Sequence, residues 1–242
     1  MKTVLITGCS SGYGLETARH FHANGWRVVA TMRTPRSGLL PDSDRIQLVS
    51  LDVTKPDSIA AAVEASGPID VLVNNAGLAK GLAPIHEGDL GHWDTMIDTN
   101  IKGLLYVTRA VTPGMVRRRR GHIINIGSSA GKEVYKNGNV YCATKFAVDA
   151  LTRAMRLDLV EHNIRVSQVS PGHVEETEFA ITRFDGDAER ARIYDDFQPL
   201  KAGDVADAIY YQVTRPPHVN VQDIVLFSAQ QASATVVERS GR

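Results

Sequence analysis

The sequence predicts an α/β fold, a doubly wound and seven-stranded parallel sheet with helices on both faces. Short β-branched apolar runs recur along the chain, and helix-length segments with apolar residues three and four apart lie between them. This alternation is typical of a parallel sheet covered by helices on both sides. No internal repeat, low-complexity linker or composition shift divides the chain, so we expect one domain over residues 1–242.

The predicted strands follow one another as short apolar runs, at 3–7, 27–32, 46–53, 71–74, 122–127, 165–169 and 221–227. Helical periodicity is clear at 15–23, 103–116 and 140–160. The last two of these carry apolar positions on more than one face, which indicates burial between subunits.

The segment 175–200 is irregular, rich in charge, and contains Gly186 and Pro199. Such a segment late in an α/β domain predicts a substrate lid over a cleft. A solvated surface excursion is the other interpretation.

Composition excludes several classes of function. Lys plus Arg and Asp plus Glu both total 27, so the chain has no net positive charge to attract nucleic acid or an anionic membrane. Cys9 and Cys142 are too few for a disulfide framework, and no apolar run approaches the roughly 20 residues of a bilayer span. No His or Cys spacing is typical of a metal site. We expect a cytoplasmic protein with a small-molecule substrate and no metal.

The first predicted strand runs into a glycine-rich turn, TGCSSGYG at 7–14, which a predicted helix follows. Glycines let the backbone turn tightly and approach a phosphate, and the free amides at a helix start carry partial positive charge. The turn therefore predicts a pyrophosphate site in a Rossmann-type fold, with contacts from Gly8, Ser10, Ser11, Gly12, Tyr13 and Gly14. Glycines used only for packing are the alternative.

The end of the second strand indicates which dinucleotide would bind. Folds that bind NAD usually carry an acid there, but this chain has Met32 followed by Arg33, with Arg36 nearby. An arginine can hold a 2′-phosphate through charge-assisted hydrogen bonds worth about 1.5–3 kcal/mol. We therefore expect NADP(H) rather than NAD, with Arg33 as the contact. A solvated surface charge is the alternative for both arginines.

Tyr141 and Lys145, in the stretch YCATK, lie one turn apart on a predicted helix and can act together. Exchanging a proton near neutral pH requires the tyrosine pKa to fall by about three units, or roughly 4 kcal/mol. A cation about 4 Å away supplies about that much. We expect Tyr141 to be the catalytic acid/base, with its pKa lowered by Lys145, which also donates to a ribose hydroxyl.

The fifth predicted strand ends in NIGSS at 125–129, at the edge where open parallel sheets bind ligands. The hydroxyl of Ser128 could hold the substrate oxygen that Tyr141 protonates or deprotonates. Ser129 is the alternative to Ser128. Either serine could instead be a turn residue at the strand end, with no contact to a substrate.

The chain resembles the short-chain dehydrogenase/reductase family over essentially its whole length. The resemblance rests on an ordered set of motifs: TGCSSGYG, LDV at 51–53, NNAG at 74–77, Asn100, Ser128, YCATK and PG at 171–172. It implies an oxidoreductase that acts on CH–OH groups. In such a family Tyr141 and Lys145 would form a catalytic tetrad with Ser128 and with Asn100, which would support a water-linked proton relay.

The same resemblance implies further cofactor contacts, shared between strand ends, with Tyr141 and Lys145 among them: Asp52, Val53, Asn75, Ala76, Gly77, Pro171, Gly172, Val174 and Thr177. One extra residue precedes Thr177 relative to the family spacing. The stretch GKEVYKNGN at 131–139 would border the substrate pocket.

Other segments are similar to the NADP-dependent 3-hydroxy acid (serine and allo-threonine) dehydrogenase branch, among them 76–100, 177–187 and 215–227. This implies a substrate such as serine, allo-threonine or 3-hydroxypropionate, and a homotetramer or homodimer. Arg183 is the candidate for the substrate carboxylate, because a guanidinium fork matches it. A surface arginine is the alternative. For the whole chain, the alternatives are a general carbonyl reductase and a non-catalytic NADP-binding sensor.

Overall fold

The structure is a computed structural model that describes residues 1–175, 177–192 and 194–241. Glu176 and Ile193, both in the predicted lid, and Arg242, at the end of the predicted domain, lie outside the described residues. In the described chain the strands are β1 (Thr3–Ile6), β2 (Arg27–Met32), β3 (Ile46–Ser50), β4 (Val71–Asn74), β5 (Gly121–Ile126), β6 (Ile164–Pro171) and β7 (Asp223–Leu226).

These seven described strands form a parallel sheet in the order β3-β2-β1-β4-β5-β6-β7, which confirms the predicted doubly wound class. The chain winds outward from β1 to β3 and then returns to continue the sheet at β4. Such a reversal opens a crevice at the carboxyl ends of the strands, where ligands bind in this class. The topology therefore places the site between β1 and β4.

The helices are α1 (Gly12–Ala23), α2 (Pro56–Ser66), α3 (Leu90–Ile97), α4 (Leu104–Arg118), α5 (Asn139–Leu159), α6 (Phe179–Arg183) and α7 (Ala202–Thr214). Helices α1 and α7 cover one face of the sheet, and α2, α4 and α5 cover the other. No helix in the described ranges is both long and apolar enough to cross a bilayer.

The central strands serve two cores at once. Val4 and Ile6 pack on the side of α1 and α7, whereas Leu5 packs on the side of α2, α4 and α5. All three side chains are fully buried. Because successive side chains of a strand point to opposite faces, a strand covered on both sides needs a continuous apolar run.

Two element boundaries differ from the prediction by three residues. The strand predicted at 46–53 ends at Ser50, because Asp52 turns the chain: its Oδ1 accepts hydrogen bonds from the backbone N (2.9 Å) and Oγ1 (2.7 Å) of Thr54. The helix predicted from residue 15 begins at Gly12, directly after the N-cap Ser11.

Helix α3 continues into α4 through a π-helical segment, Asp98–Gly103, and Asn100 is buried within it. Its Oδ1 accepts from the backbone N of Leu78 (2.9 Å), and its Nδ2 donates to the carbonyl of Leu78 (2.8 Å) and to Oγ1 of Thr144 (3.1 Å). Asn100 thereby joins the loop after β4 to α5. Single π-helical turns are frequent at functional sites.

After β6 the chain makes an excursion over the carboxyl edge of the sheet before it reaches α7. The ends of the excursion are joined, since Val174 and Leu200 form a parallel bridge and the backbone N of Leu200 donates to the carbonyl of His173 (3.0 Å). The C-terminal residues 228–241 fold back along this excursion. Their Gln231 bridges to Val237 in antiparallel fashion.

Candidate active site

A cavity of about 870 Å³ opens at the carboxyl edge of the sheet. Its volume is typical of small-molecule sites. The strand ends, the excursion after β6 and the C-terminal segment all line it. Most of the predicted site residues are in the wall, but Gly14 and Asn100 stand behind it as supports.

The glycine turn forms one end of the cavity. Gly8 (φ 73°) and Gly12 (φ 55°) have left-handed backbone conformations that other residues rarely adopt. A Cβ at Gly14 would lie 2.2 Å from the carbonyl oxygen of Gly8 and 2.5 Å from Nδ2 of Asn75. Side chains at these positions would fill the turn, so the space for a close phosphate approach depends on the glycines.

The turn is held from behind by the NNAG segment. Nδ2 of Asn75 donates to the carbonyls of Thr7 (2.7 Å) and Gly8 (3.0 Å). In return Oγ1 of Thr7 accepts from the backbone N of Asn75 (3.0 Å) and of Ala76 (2.9 Å). The resemblance implies that Asn75 contacts the cofactor, and the structure shows that its side chain supports the glycine turn.

The excursion after β6 lies over the start of α1. Oγ of Ser11 donates to Oε2 of Glu178 (3.0 Å), and a Cβ at Gly12 would approach the side chain of Thr177 to 3.3 Å. Despite the extra residue before it, Thr177 therefore reaches the glycine turn. The first turn of α1 carries no acidic residue of its own, which favours an anion at the helix start, although the carboxylate of Glu178 already lies at the hydroxyl of Ser11.

The end of β2 presents a cation to the cavity. Arg33 is exposed there, while Nη2 of Arg36 donates to the carbonyl of Ser10 (3.3 Å). Burial alone would raise the pKa of Asp52, but its hydrogen bonds from Thr54 and the charge of Arg33 hold that pKa below its ordinary value. Asp52 is therefore ionised and accepts hydrogen bonds from Thr54, and Arg33 is part of the cavity wall.

Ser128, Tyr141 and Lys145 meet at the middle of the cavity. Ser128 follows β5 and its Oγ accepts from the backbone N of Ala130 (3.1 Å). Lys145 donates from Nζ to the carbonyl of Ile126 (2.9 Å), and this nitrogen lies 6.0 Å from the ring centroid of Tyr141. The three predicted side chains are buried and face one another across the end of β5.

The pKa of Tyr141 moves in the direction opposite to the one predicted. Burial raises it well above its ordinary value, although a hydrogen bond with Ser128 opposes the change. Burial also lowers the pKa of Lys145 to about 8. The amine of Lys145 is held by the carbonyl of Ile126, and the cation that favours a tyrosinate here is Arg183, whose attraction burial outweighs. At neutral pH Tyr141 is therefore a protonated phenol.

Arg183 is buried beside Tyr141, at the end of α6. Its Cζ lies 5.3 Å from the ring centroid of Tyr135 and 5.7 Å from that of Tyr141. Nε donates to the carbonyl of Gly81 (3.3 Å), whereas Nη2 is buried and has no hydrogen-bond partner among the described residues. A buried cationic donor without an acceptor is unfavourable, so this nitrogen favours an anionic ligand.

An aromatic group closes the same end of the cavity. The ring of His173 packs 5.6 Å from that of Tyr194 and 5.7 Å from that of Phe197. Burial lowers the pKa of His173 to about 4, so its imidazole is neutral near pH 7. The backbone N of His173 donates to Oε1 of Gln231 (2.8 Å), which attaches the C-terminal segment to the site.

The C-terminal wall was not predicted from the sequence. It contributes Ala234, Thr235, Val237 and Arg239 to the cavity. Glu133 anchors this wall, since its carboxylate accepts from the backbone N of Ala234 (3.0 Å) and from Oγ1 of Thr235 (3.3 Å). The stretch 131–139 was expected to border the pocket, and its Tyr135 and Lys136 do line the cavity.

Within the described ranges, no group of three or more His, Cys, Asp or Glu side chains is arranged to hold a metal ion. The groups that the cavity does offer are a helix start, a protonated phenol, a serine hydroxyl and cations at two ends. Such a set can hold a phosphorylated ligand, orient a small anion and exchange a proton.

Comparison with known proteins finds similarity at the level of family, sequence and structure. The family described as short chain dehydrogenase matches residues 2–188. The NADP-dependent 3-hydroxy acid dehydrogenase YdfG of Salmonella typhi is 45% identical over 240 residues, or 96% of either chain. The sulfoacetaldehyde reductase 2 of Chromohalobacter salexigens is 41% identical over 248 residues, or 98% of either chain.

Solved structures are similar as well. The closed form of serine dehydrogenase complexed with NADP+ has a TM-score of 0.91 at 40% identity and covers 98% of both chains. The crystal structure of serine dehydrogenase from Escherichia coli has a TM-score of 0.82 at 38% identity, over 95% of this chain and 99% of that one.

Proposed function

We propose that this chain, which belongs to the short-chain dehydrogenase family, oxidises the hydroxyl of a small 3-hydroxy acid, or reduces the matching carbonyl, with NADP(H). The observation that carries the substrate class is Arg183, whose buried Nη2 has no partner among the described residues beside Tyr141. The names of the relatives support the same class, since 3-hydroxy acid and serine dehydrogenases are among them.

The residues at the carboxyl edge fit a bound NADP(H), which supplies the hydride chemistry. The amides of the turn from Gly8 to Gly14 would hold the pyrophosphate. Arg33 would hold the 2′-phosphate, because it is exposed at the end of β2 and lines the cavity. Contacts to the remaining parts of the cofactor would come from residues of the same wall: Asp52, Val53, Asn75, Ala76, Gly77, Pro171, Gly172, Val174 and Thr177.

Proton transfer is the task of the chain's own side chains. A protonated Tyr141 can donate to the oxygen of a carbonyl substrate, and Ser128 can hold that oxygen in place. Lys145 would turn from the carbonyl of Ile126 to a ribose hydroxyl, bringing its charge toward the forming tyrosinate. Asn100 would support proton transfer indirectly, because its side chain is hydrogen-bonded to the backbone of Leu78 in the loop after β4.

The organisation of the molecule around this site is also a proposal. We expect one domain over 1–242, with 175–200 as a substrate lid, supported by the contact of Glu178 with Ser11.

A cytoplasmic location is supported by two cysteines that are both free and buried. A homotetramer or homodimer is supported by exposed apolar side chains on α4 and α5: Leu105, Tyr106, Phe146 and Leu157.

Arg183→Ala tests the proposed function. NADPH absorbance is followed with a panel of 3-hydroxy acids, sulfoacetaldehyde, neutral alcohols and the corresponding carbonyls. We expect KM for the acids to rise roughly ten- to a hundredfold, as for a lost charge-assisted hydrogen bond, and KM for neutral alcohols to change less than about twofold.

Tyr141→Phe serves as the control for catalysis, and we expect it to bind NADPH normally and to lose almost all turnover. Equal increases of KM for acids and neutral alcohols would instead favour a general carbonyl reductase. An absence of turnover by the wild-type protein across the whole panel would favour a non-catalytic NADP-binding sensor.

A further inference from the structure

A charged contact joins the lid to the loop after β4. Nζ of Lys80 lies 2.5 Å from Oδ1 of Asp185, and Nε2 of His92 lies 3.4 Å from Oδ2 of the same carboxylate. Lys80 belongs to the loop, His92 belongs to α3, and Asp185 belongs to the lid. Three separate parts of the chain therefore converge on one carboxylate.

The loop and the lid are also joined by hydrogen bonds in both directions between Gly81, which follows Lys80, and Arg183, two residues before Asp185. The backbone N of Gly81 donates to the carbonyl of Arg183 (2.9 Å), and Nε of Arg183 donates to the carbonyl of Gly81 (3.3 Å). Both the backbone and the side chain of Arg183 are thus attached to the residue that follows Lys80. The direction of the guanidinium depends on how closely the loop and the lid stay together.

The backbone of the lid directs Asp185 toward this loop. Helix α6 ends at Arg183, and both Asp185 (φ 53°) and Gly186 (φ 91°) then adopt left-handed conformations that reverse the chain. Asp and Asn tolerate this conformation better than most residues with a side chain. The reversal turns the carboxylate back to Lys80 and His92.

The carboxylate is charged in this arrangement. The hydrogen bond from Lys80, together with the charges of Lys80, His92 and Arg190, holds the pKa of Asp185 below its ordinary value. Asp185 therefore remains an anion between two basic groups of the neighbouring segments at neutral pH.

We propose that Lys80, His92 and Asp185 form an ionic latch that positions Arg183 to receive the carboxylate of the substrate. This rests on the proposed function, in which Arg183 binds that carboxylate. The three latch residues are positioning residues, because they act through Gly81 and Arg183. When the latch opens, the hydrogen bonds between Gly81 and Arg183 loosen. The guanidinium is then no longer held beside Tyr141, where it would bind the substrate carboxylate.

The expected effect is moderate. The side chain of Lys80 is 25% exposed and that of Asp185 is 52% exposed, so solvent and salt screen their attraction. Losing it should raise KM for a 3-hydroxy acid by roughly two- to fivefold.

Asp185→Asn and Lys80→Met test the latch. Asn keeps the left-handed turn, and Met keeps the aliphatic stem of the lysine. We expect both to raise KM for a 3-hydroxy acid at low salt and to leave kcat near the wild-type value. The difference from the wild type should shrink as salt is added. The double variant should resemble Asp185→Asn, because that change already removes the carboxylate that Lys80 contacts.

Asp195→Asn is a matched control, because it removes the exposed pair of Asp195 with Arg192 (2.6 Å) in the same lid. It should leave KM unchanged. The latch is wrong if Asp185→Asn and Lys80→Met leave KM unchanged while Arg183→Ala raises it, or if they raise KM equally for a neutral alcohol. If Arg183→Ala itself has no effect on acid KM, the proposed function fails first, and the two failures are thereby separated.

Discussion

At the scale of single residues, Lys145 combines a role in the site with a cost in stability. Its amine is buried and donates one hydrogen bond to the carbonyl of Ile126. Burial disfavours the charged form, which is why its pKa falls from 10.5 to about 8. The proposed role of Lys145 beside Tyr141 thus requires a charge that burial disfavours.

Lys145→Met should therefore stabilise the protein at pH 7. Below about pH 8 the folded chain carries a buried charge that is solvated in the unfolded chain, so the penalty is fully present. From pH 8 to 10.5 the unfolded chain binds more protons, and the stability of the wild type rises with pH.

We expect a gain of about 1–3 kcal/mol in the free energy of unfolding at pH 7, after the lost hydrogen bond is subtracted. The gain should shrink toward pH 10. Urea unfolding at several pH values measures it, and an NADPH titration should show weaker cofactor binding. A variant less stable than the wild type at pH 7 would contradict this account.

At the scale of elements, the turn between β1 and α1 shows why a motif of three glycines is needed for two different reasons. Gly8 and Gly12 are required by their left-handed conformations. Gly14 lies inside α1, where the carbonyl of Gly8 and the side chain of Asn75 leave no room for a Cβ. The β1–α1 turn and the NNAG segment after β4 are therefore packed as one unit.

Gly14→Ala should disturb this unit, whereas Gly203→Ala should not. The added methyl group at Gly14 would overlap the carbonyl of Gly8, and we expect a loss of about 1–3 kcal/mol in stability together with at least roughly tenfold weaker NADPH binding. Gly203, in the first turn of α7, has no atom within 4 Å of an added Cβ.

Gly203→Ala should consequently stabilise the protein by about 0.5–1 kcal/mol through helix propensity and leave NADPH binding unchanged. Urea unfolding and fluorescence titration of NADPH measure both effects. Similar behaviour of the two variants would show that the close approach at Gly14 is not required.

At the scale of the whole molecule, two buried histidines make folding sensitive to acid. His122 lies in β5, where its Nε2 shares a hydrogen bond with Oγ of Ser167 (2.8 Å) and burial lowers its pKa to about 3. The pKa of His173 is lowered to about 4, also by burial. Both imidazoles are neutral in the folded chain over the range in which an unfolded histidine gains its proton.

Stability should therefore fall as the pH drops below about 6.5. Between pH 6.5 and 3 the unfolded chain binds a proton at His122 that the folded chain does not, so the free energy of unfolding rises with pH by up to about 1.4 kcal/mol per pH unit. His173 adds a similar slope above pH 4.

His122→Asn should reduce the slope of unfolding free energy against pH between 4 and 6, whatever its effect on stability at pH 7. Denaturant unfolding across this range measures the slope for both proteins. An unchanged slope would mean that His122 takes up its proton in the folded chain as readily as in the unfolded one.

The sequence by itself determined the parallel sheet and the glycine turn, and it predicted the side chains at the strand ends that line the cavity. These are local properties, since apolar periodicity reports which faces are buried and Gly-rich spacing reports where the backbone must turn. Strand ends in a parallel sheet meet at one edge, so Ser128 and Tyr141 could be placed together before any contact was known.

Only the tertiary structure decided how those side chains are held and charged. The attachment of Arg183 to Gly81 and the attachment of the C-terminal wall to Glu133 join residues far apart in the chain. The burial of the unpartnered Nη2 of Arg183 likewise depends on tertiary packing. The raised pKa of Tyr141 follows from burial by several distant segments at once. Desolvation and long-range contacts depend on which segments pack together, and no local pattern in the sequence records that.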